Sequence, residues 1–185
     1  MVVWTGMGGK PPFTGYEVSC AERPVRAGDP MEVEVAIRAA FPDQPVPQDF
    51  FRDADCRDKD FHLELAGRMQ NRPWTAVSLM DWRMIGATPA AWREYLVAET
   101  FAYYIPSILV GVLAEPAFAD LALEAVLPFN QKHQPRGEWW FSFARALTDR
   151  QRGAMKDFLT HMRGSKPSLD LVNEELVDAA EAVWG

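Results

Sequence analysis

The sequence contains little that would point to a secreted or redox protein. It has only 2 cysteines in 185 residues, Cys20 and Cys56. They are too few for a disulfide framework and lack the spacing of metal ligands, so a reducing cytoplasm is the expected compartment. Pairing of the two cysteines with each other remains an alternative. The first residues also lack the basic region and uninterrupted apolar stretch of a secretory signal.

Basic clusters and long apolar runs are missing as well. The formal net charge is −7, and no concentration of Lys and Arg is visible that could neutralise phosphates, which argues against a nucleic-acid partner. The most apolar run, FAYYIPSILVGVL at 101–113, is shorter than the roughly 20 residues that a membrane-spanning helix needs, and Glu99 and Glu115 bracket it. We therefore expect neither nucleic acid nor membrane as a partner.

Familiar catalytic signatures are absent: there is no G-x-S-x-G turn, phosphate-binding loop, H-E-x-x-H helix or C-x-x-C pair. The three histidines are scattered without paired spacing. An aspartate cluster could bind calcium, but it lacks the glycine and the terminal glutamate of an EF-hand loop, so a solvated loop is favoured. We predict no cofactor and no metal, and enzymatic activity is disfavoured but left open. The aspartates are Asp53, Asp55, Asp58 and Asp60.

Helix start signals are the clearest pattern that is present. Asp29 before Pro30 predicts a helix through Ala40. Thr148 with Gln151 three residues later is a capping box, which begins another helix. Apolar periodicity predicts further helices, with less definite ends. They cover residues 60–70, 74–85, 88–96, 117–127 and a last segment after Ser168.

These signals predict a mostly α, compact single-domain helical bundle. Its parts are an irregular Gly/Pro-rich segment at 1–28, a helical core domain at 29–164 and an acidic amphipathic C-terminal helix at 165–185, packed on or beside the core. A short strand near 16–20 is an alternative within the first part. The predicted core residues are Ile37, Leu65, Trp92, Tyr104, Ile108, Leu109, Val112, Leu123, Phe158 and Leu159.

Pro106 lies inside the apolar run. A proline within a helix removes a hydrogen bond and crowds the preceding turn, at a cost of roughly 3 kcal/mol. We therefore expect two helical pieces, with Pro106 in the first turn of the second, or one kinked helix. Either form would be apolar nearly all round and would belong in the middle of the bundle.

The last segment contains the first candidate site. Five acids and one lysine occupy 165–185, and like charges spaced four residues apart repel by roughly 0.2–0.5 kcal/mol per pair. A cationic partner would relieve this repulsion, although solvent and salt would also do so. The predicted partner-binding residues on this helix are Asp170, Glu174, Asp178 and Glu181. Trp139 and Trp140 are added because an exposed tryptophan beside Arg136 is typical of interfaces; burial at the edge of the core is the alternative.

A polar pocket inside the bundle is the second candidate. Glu99, Tyr103 and Tyr104 are close together in the sequence, and a carboxylate near phenols in an apolar setting would titrate abnormally. The structural alternative is that the tyrosine rings pack and their hydroxyls bond to backbone carbonyls.

Four stretches, IRAAF (37–41), FAYYIPSIL (101–109), ALEAVLP (122–128) and LTDRQRGAMKDFL (147–159), resemble a family of small bacterial proteins catalogued only as a domain of unknown function. That family combines an F-x-Y-Y-[LI]-P motif with a late LT-x-x-Q helix. The resemblance covers about residues 34–163 and implies no activity. The glycine-rich start and the acidic last helix lie outside it.

The preferred functional hypothesis is a non-enzymatic, acidic protein-binding protein, of the immunity type that neutralises a bacterial toxin or effector. It rests on the acidic last helix and the missing catalytic motifs, by compositional analogy. The alternative is a small-ligand-binding protein or enzyme with a pocket near Glu99, Tyr103 and Tyr104. A homo-oligomer that uses the C-terminal helix is a further open alternative.

Overall fold

The structure is a computed structural model that describes residues 28–52, 59–85, 92–93, 95–130, 132–165 and 171–185. Within these ranges the fold is mostly α, as predicted, and the only β pairing is one isolated antiparallel bridge between Phe51 and Leu96. Two short 3-10 turns, Trp74–Ala76 and Pro116–Phe118, accompany the helices. The α-helices are α1 (Pro30–Ala40), α2 (Lys59–Met69), α3 (Leu79–Met84), α4 (Ala98–Ala114), α5 (Ala119–Ala125), α6 (Glu138–Ala146), α7 (Asp149–Gly164) and α8 (Leu171–Trp184).

Several predicted features lie outside the described residues. They are the Gly/Pro-rich segment up to residue 27 with its strand near 16–20, the two cysteines, the helix start at Thr88, the aspartates of the loop at 53–58, and Ser168 and Asp170 before the last helix.

Helix α4 is the centre of the bundle. It packs against α1, α3, α5 and α6 and against the turn at Trp74–Ala76. Helix α7 packs against α1 and α8, and α8 in turn packs against α5. The contacts therefore close into a ring, α1–α7–α8–α5–α4, which buries the apolar face of each helix. All ten predicted core residues are buried, none with more than 1% of its surface exposed.

Pro106 does not divide α4. The helix runs unbroken from Ala98 to Ala114 with Pro106 in its interior, so the expectation that Pro106 opens a second helical piece is wrong. Eleven of its residues are buried. Because full burial of one large apolar side chain contributes about 1.5–3 kcal/mol, the packing of several such residues outweighs the local cost of the proline.

The helix starts follow the predicted caps. The Asp29 carboxylate accepts a hydrogen bond from Met31 N at 2.9 Å and α1 ends at Ala40. In α7, Thr148 and Gln151 bond reciprocally in the predicted capping box. The stretch 74–85, in contrast, is not one helix. Ser78 caps α3 in a second capping box with Asp81, which separates α3 from the preceding 3-10 turn.

Candidate functional site

An apolar stripe fixes the orientation of α8. Val177, Ala180 and Trp184 are buried, and their spacing of three and four residues puts them on one helical face. The indole Nε1 of Trp184 donates a hydrogen bond to the carbonyl oxygen of Val126, at 2.7 Å. The last turn of α8 is thereby tied to the end of α5, and the opposite face of the helix is turned outward.

The acidic residues lie on and beside that outward face. Glu175 and Asp178 are exposed, and Glu174 and Glu181 are half-buried. The structure therefore brings together three of the four predicted acids. It adds Glu175, which a count in steps of four from Asp170 passes over, although it lies three residues before Asp178 and so neighbours it on the helix.

One cation from α7 reaches this acidic face. Arg163 lies 2.5 Å from a carboxylate oxygen of Asp178 and 2.7 Å from Glu181, and the two hydrogen bonds raise the pKa of Arg163. The predicted repulsion along α8 is thus relieved in part from within the molecule. Four acidic side chains against one arginine still leave an excess of negative charge, and 68% of the Asp178 side chain is exposed.

A furrow between α7 and α8 adjoins the acidic face. Its volume is about 410 Å³, and it is lined by Lys156, Leu159, Thr160, Glu181 and Gly185. The Lys156 ammonium donates a hydrogen bond to the Gly185 carbonyl oxygen at 3.2 Å. Leu159 is buried beneath the furrow, 1% exposed. More of the furrow's lining surface is apolar than polar, so this part of the surface combines an apolar lining with the carboxylate of Glu181.

Trp139 and Trp140 pack at the edge of the core. Trp140 is buried, 5% exposed, and its ring packs against Phe143 and Trp184. Trp139 is half-buried; its ring stacks on Phe143, and its Nε1 donates to the Leu96 carbonyl oxygen at 3.0 Å. These contacts agree with the alternative interpretation of the pair, which is burial at the edge of the core. A partner-binding role for the two residues stays a prediction, with little surface left to perform it.

Arg93 is a buried charged residue that sequence reasoning missed. It is 6% exposed, and its guanidinium donates hydrogen bonds to the carbonyl oxygens of Glu124 and Ala125 at the end of α5. It also lies 5.7–5.8 Å from the ring centres of Phe101 and Trp139. Burial lowers the pKa of Arg93 to about 10. Arg93 lies three residues before Leu96, so in the predicted helix at 88–96 it falls on the same side as the apolar residues. This spacing is the sequence feature that could have identified it as buried.

The second candidate, around Glu99, is not gathered into one polar site. Glu99 is exposed, whereas Tyr104 is fully buried and its hydroxyl bonds to the carbonyl oxygens of Met69 and Arg72 at 2.7 and 2.8 Å. The Tyr103 hydroxyl donates to the Asp43 carbonyl oxygen at 2.6 Å. Burial raises the pKa of both tyrosines. Both hydroxyl groups are therefore used to tie α4 to the backbone of its neighbours.

The histidines lie in three separate places. His62 stacks on Phe51, His133 Nδ1 is 3.2 Å from the Pro128 carbonyl oxygen, and His161 Nδ1 is 2.8 Å from that of Gly28. Among the described residues there is no group of three or more His, Cys, Asp or Glu side chains that could hold a metal ion. Within the same ranges, no helix combines the length and the apolar character that a bilayer crossing requires.

Comparison of the chain with protein-family models, with curated proteins and with solved structures finds no match. The resemblance to a bacterial family of unknown function therefore stays a prediction.

Proposed function

We propose that the protein is a non-enzymatic binding protein whose acidic face on α8 captures a protein with a basic surface. The observation that carries the proposal is the excess of negative charge on the outward side of α8. Glu175 and Asp178 are exposed there. Among the described residues, Arg163 is the one cation that forms an ion pair with these acids, and it pairs with two of the four, Asp178 and Glu181.

The furrow beside the acidic face supports the same function. A protein interface usually needs an apolar centre that excludes water as well as charges that select the partner. The mostly apolar lining of the furrow supplies an apolar element, and Glu181 on its wall is linked to Asp178 through their shared partner Arg163. A lysine or arginine of the partner would meet these carboxylates while an apolar side chain enters the furrow.

The partner class that we propose is a bacterial toxin or effector, so that the chain would act as an immunity-type protein. Acidic single-domain proteins without catalytic motifs are common in that class, and the formal charge of −7 fits it. Long-range attraction between an acidic inhibitor and a basic target would also speed their association.

The interior of the bundle supports a binding role better than a catalytic one. A catalytic tyrosine and carboxylate must meet at one substrate. Here the Tyr104 hydroxyl is buried and held by two backbone carbonyls, whereas Glu99 is exposed on the surface. The tyrosine cluster therefore stabilises the fold, which leaves charged surface as the place for recognition.

An affinity capture from the native host tests this proposal. The full chain should recover a partner in stoichiometric amount at low salt and less of it at moderate salt, because screening weakens exposed charge pairs. The triple variant Glu174→Gln, Glu175→Gln, Asp178→Asn should lose the partner.

A matched control neutralises three exposed acids elsewhere, Asp60→Asn, Glu99→Gln and Asp120→Asn. It changes the net charge equally, so it should retain the partner if the face on α8 is specific. Recovery of no stoichiometric protein by the unchanged chain, or equal loss in both triple variants, would contradict the proposal.

A further inference from the structure

The connection between α5 and α6 presents an unusually exposed aromatic ring. Phe129 is 73% exposed, yet the backbone around it is held by local hydrogen bonds. The Asn130 side chain donates to the Gln134 carbonyl oxygen at 2.8 Å and accepts from Gln134 N at 3.0 Å, and His133 N donates to the Asn130 carbonyl oxygen at 2.8 Å. We call residues 128–130 and 132–137 the basic loop.

The basic loop carries positive charge that the fold does not use. Lys132 and Arg136 are exposed and form no ion pair with any described residue, and the neighbouring acid is Glu138 at the start of α6. An exposed ring beside a hydrogen-bonded turn is a suitable interface anchor, because the hydrogen bonds of Asn130 with His133 and Gln134 restrict the neighbouring backbone before binding. Two free cations beside it favour an apolar socket with carboxylates on its rim.

This description matches the surface on α8. The furrow has a lining that is more apolar than polar and Glu181 on its wall. Asp178 and Glu175 lie beyond it on α8. Its volume of about 410 Å³ provides room for one phenyl ring. The single cation in its lining, Lys156, is bonded to the Gly185 carbonyl oxygen and could lie against the face of the ring in a cation–π contact.

We propose that a second copy of this chain docks its basic loop on the acidic face of α8, with Phe129 in the furrow and with Lys132 and Arg136 against Asp178 and Glu175. The inference rests on the proposed function of that face as a binding surface. The second copy would occupy the face that the basic target protein uses, so the two would compete for it. Each copy carries both surfaces, and they lie near each other because Trp184 of α8 bonds to Val126, two residues before the loop. Two reciprocal contacts of this kind can close a twofold dimer.

Sedimentation over a concentration series at low salt tests the inference. The unchanged chain should shift from monomer to a larger species, and Phe129→Ala should weaken the association by about 30-fold, as expected for the loss of a central anchor. Leu63→Ala, which truncates a side chain that is 68% exposed on α2, is the matched control and should leave the association unchanged. Circular dichroism should show that both variants are folded.

A charge exchange gives the sharper result. One variant carries Lys132→Glu with Arg136→Glu, and the other carries Glu175→Lys with Asp178→Lys. Each alone should be monomeric because like charges then oppose each other across the contact. A mixture of the two should associate again, since both contacts regain opposite charges. Recovery in the mixture would also exclude a general effect of net charge.

Two outcomes would overturn the inference. One is that the unchanged chain is a monomer at every concentration. The other is that the chain associates, but Phe129→Ala does not weaken the association and the mixture of the two charge variants does not restore it. Failure here is distinguishable from failure of the proposed function. A chain that stays monomeric but captures a host protein through α8 retains the proposed function and loses only the second copy as its partner.

Discussion

Helices α4 and α8 both contain polar side chains, but they use them differently. In α4 the hydroxyls of Thr100, Tyr104 and Ser107 donate to carbonyl oxygens at 2.6–2.8 Å. In α8, Asp178 is mostly exposed, and its hydrogen-bond partner among the described residues is the side chain of Arg163.

The difference indicates where recognition can occur. A buried polar group must be hydrogen-bonded or it destabilises the protein by about 1–3 kcal/mol, so the polar groups of α4 are needed for the fold. An exposed ion pair contributes only about 0–1 kcal/mol, so the acids of α8 can exchange partners at small cost. Changes in α4 should therefore alter stability, whereas changes in α8 should alter binding.

The largest predicted effect is at Gly111, where α4 approaches α3. A Cβ atom added to Gly111 would lie 2.6 Å from the Cβ of Leu79. Because the backbone fixes the position of that Cβ, α3 must move away. We expect Gly111→Ala to lower the free energy of unfolding by about 2–3 kcal/mol in urea titrations.

Gly153 in α7 is the matched control for that substitution. An added Cβ there meets nothing within 4 Å, so Gly153→Ala should instead raise the free energy of unfolding by about 0.5–1 kcal/mol through better helix propensity. Equal effects at the two glycines would mean that the close approach of α3 and α4 is not a tight contact in solution.

A smaller loss is expected for Tyr104→Phe. The substitution removes the hydroxyl that bonds to the Met69 and Arg72 carbonyl oxygens. Both would lose a buried partner, so we expect a loss of about 1–2 kcal/mol. Tyr103→Phe is the comparison. Its hydroxyl donates an exposed hydrogen bond to the Asp43 carbonyl oxygen and accepts a long one from Trp74 N at 3.3 Å, so the loss should be smaller. If the two variants are equally stable, the hydrogen bonds of the buried Tyr104 hydroxyl contribute no more to stability than those of Tyr103.

Alkaline pH tests the same contrast. Burial raises the pKa of Tyr104 above its ordinary value of 10.0, so above about pH 10 the unfolded chain releases a proton that the folded chain retains. Stability is therefore complete below that pH and falls as the pH rises, by at most about 1.4 kcal/mol per pH unit for one group. Thermal melts of Tyr104→Phe should show a shallower decline than the unchanged chain. In both chains the remaining pH dependence contains a decline from Tyr103 and an opposing rise from Arg93, whose pKa is lowered to about 10, so the difference between the two chains is the quantity that reports Tyr104.

Local signals predicted much of the fold because they act within a few residues. Asp29 and Thr148 cap their helices through bonds to backbone two and three residues away, and apolar periodicity marks faces that can only be buried. Pro106 shows the limit of that reasoning. The free-energy cost of Pro106 arises within its own helical turn, but the packing that outweighs it comes from helices distant in sequence. The continuity of α4 could therefore not be predicted from the apolar segment 101–113 alone.

The candidate site was predictable as a set of charges but not as a surface. The acidic series of α8 is visible in the sequence, whereas Arg163 reaches Asp178 and Glu181 from α7, 15 and 18 residues away in the chain. That pairing depends on how α7 and α8 pack side by side. The same holds for Arg93, whose partners at the end of α5 are 31 and 32 residues away.

Substitution of Arg163 should change stability little and binding clearly. Arg163→Gln removes an exposed pairing with Asp178 and Glu181, so the free energy of unfolding should fall by less than about 1 kcal/mol and the difference should disappear at high salt. The freed carboxylates should bind a basic partner more tightly, as measured by titration calorimetry.

Arg150→Gln is the control. It removes an equally positive charge from an exposed position on α7 and should strengthen binding less, because it frees no acid of α8. A several-kcal/mol loss of stability in Arg163→Gln, without tighter binding, would mean that the fold depends on the acids of α8 as strongly as it depends on the hydroxyls of α4.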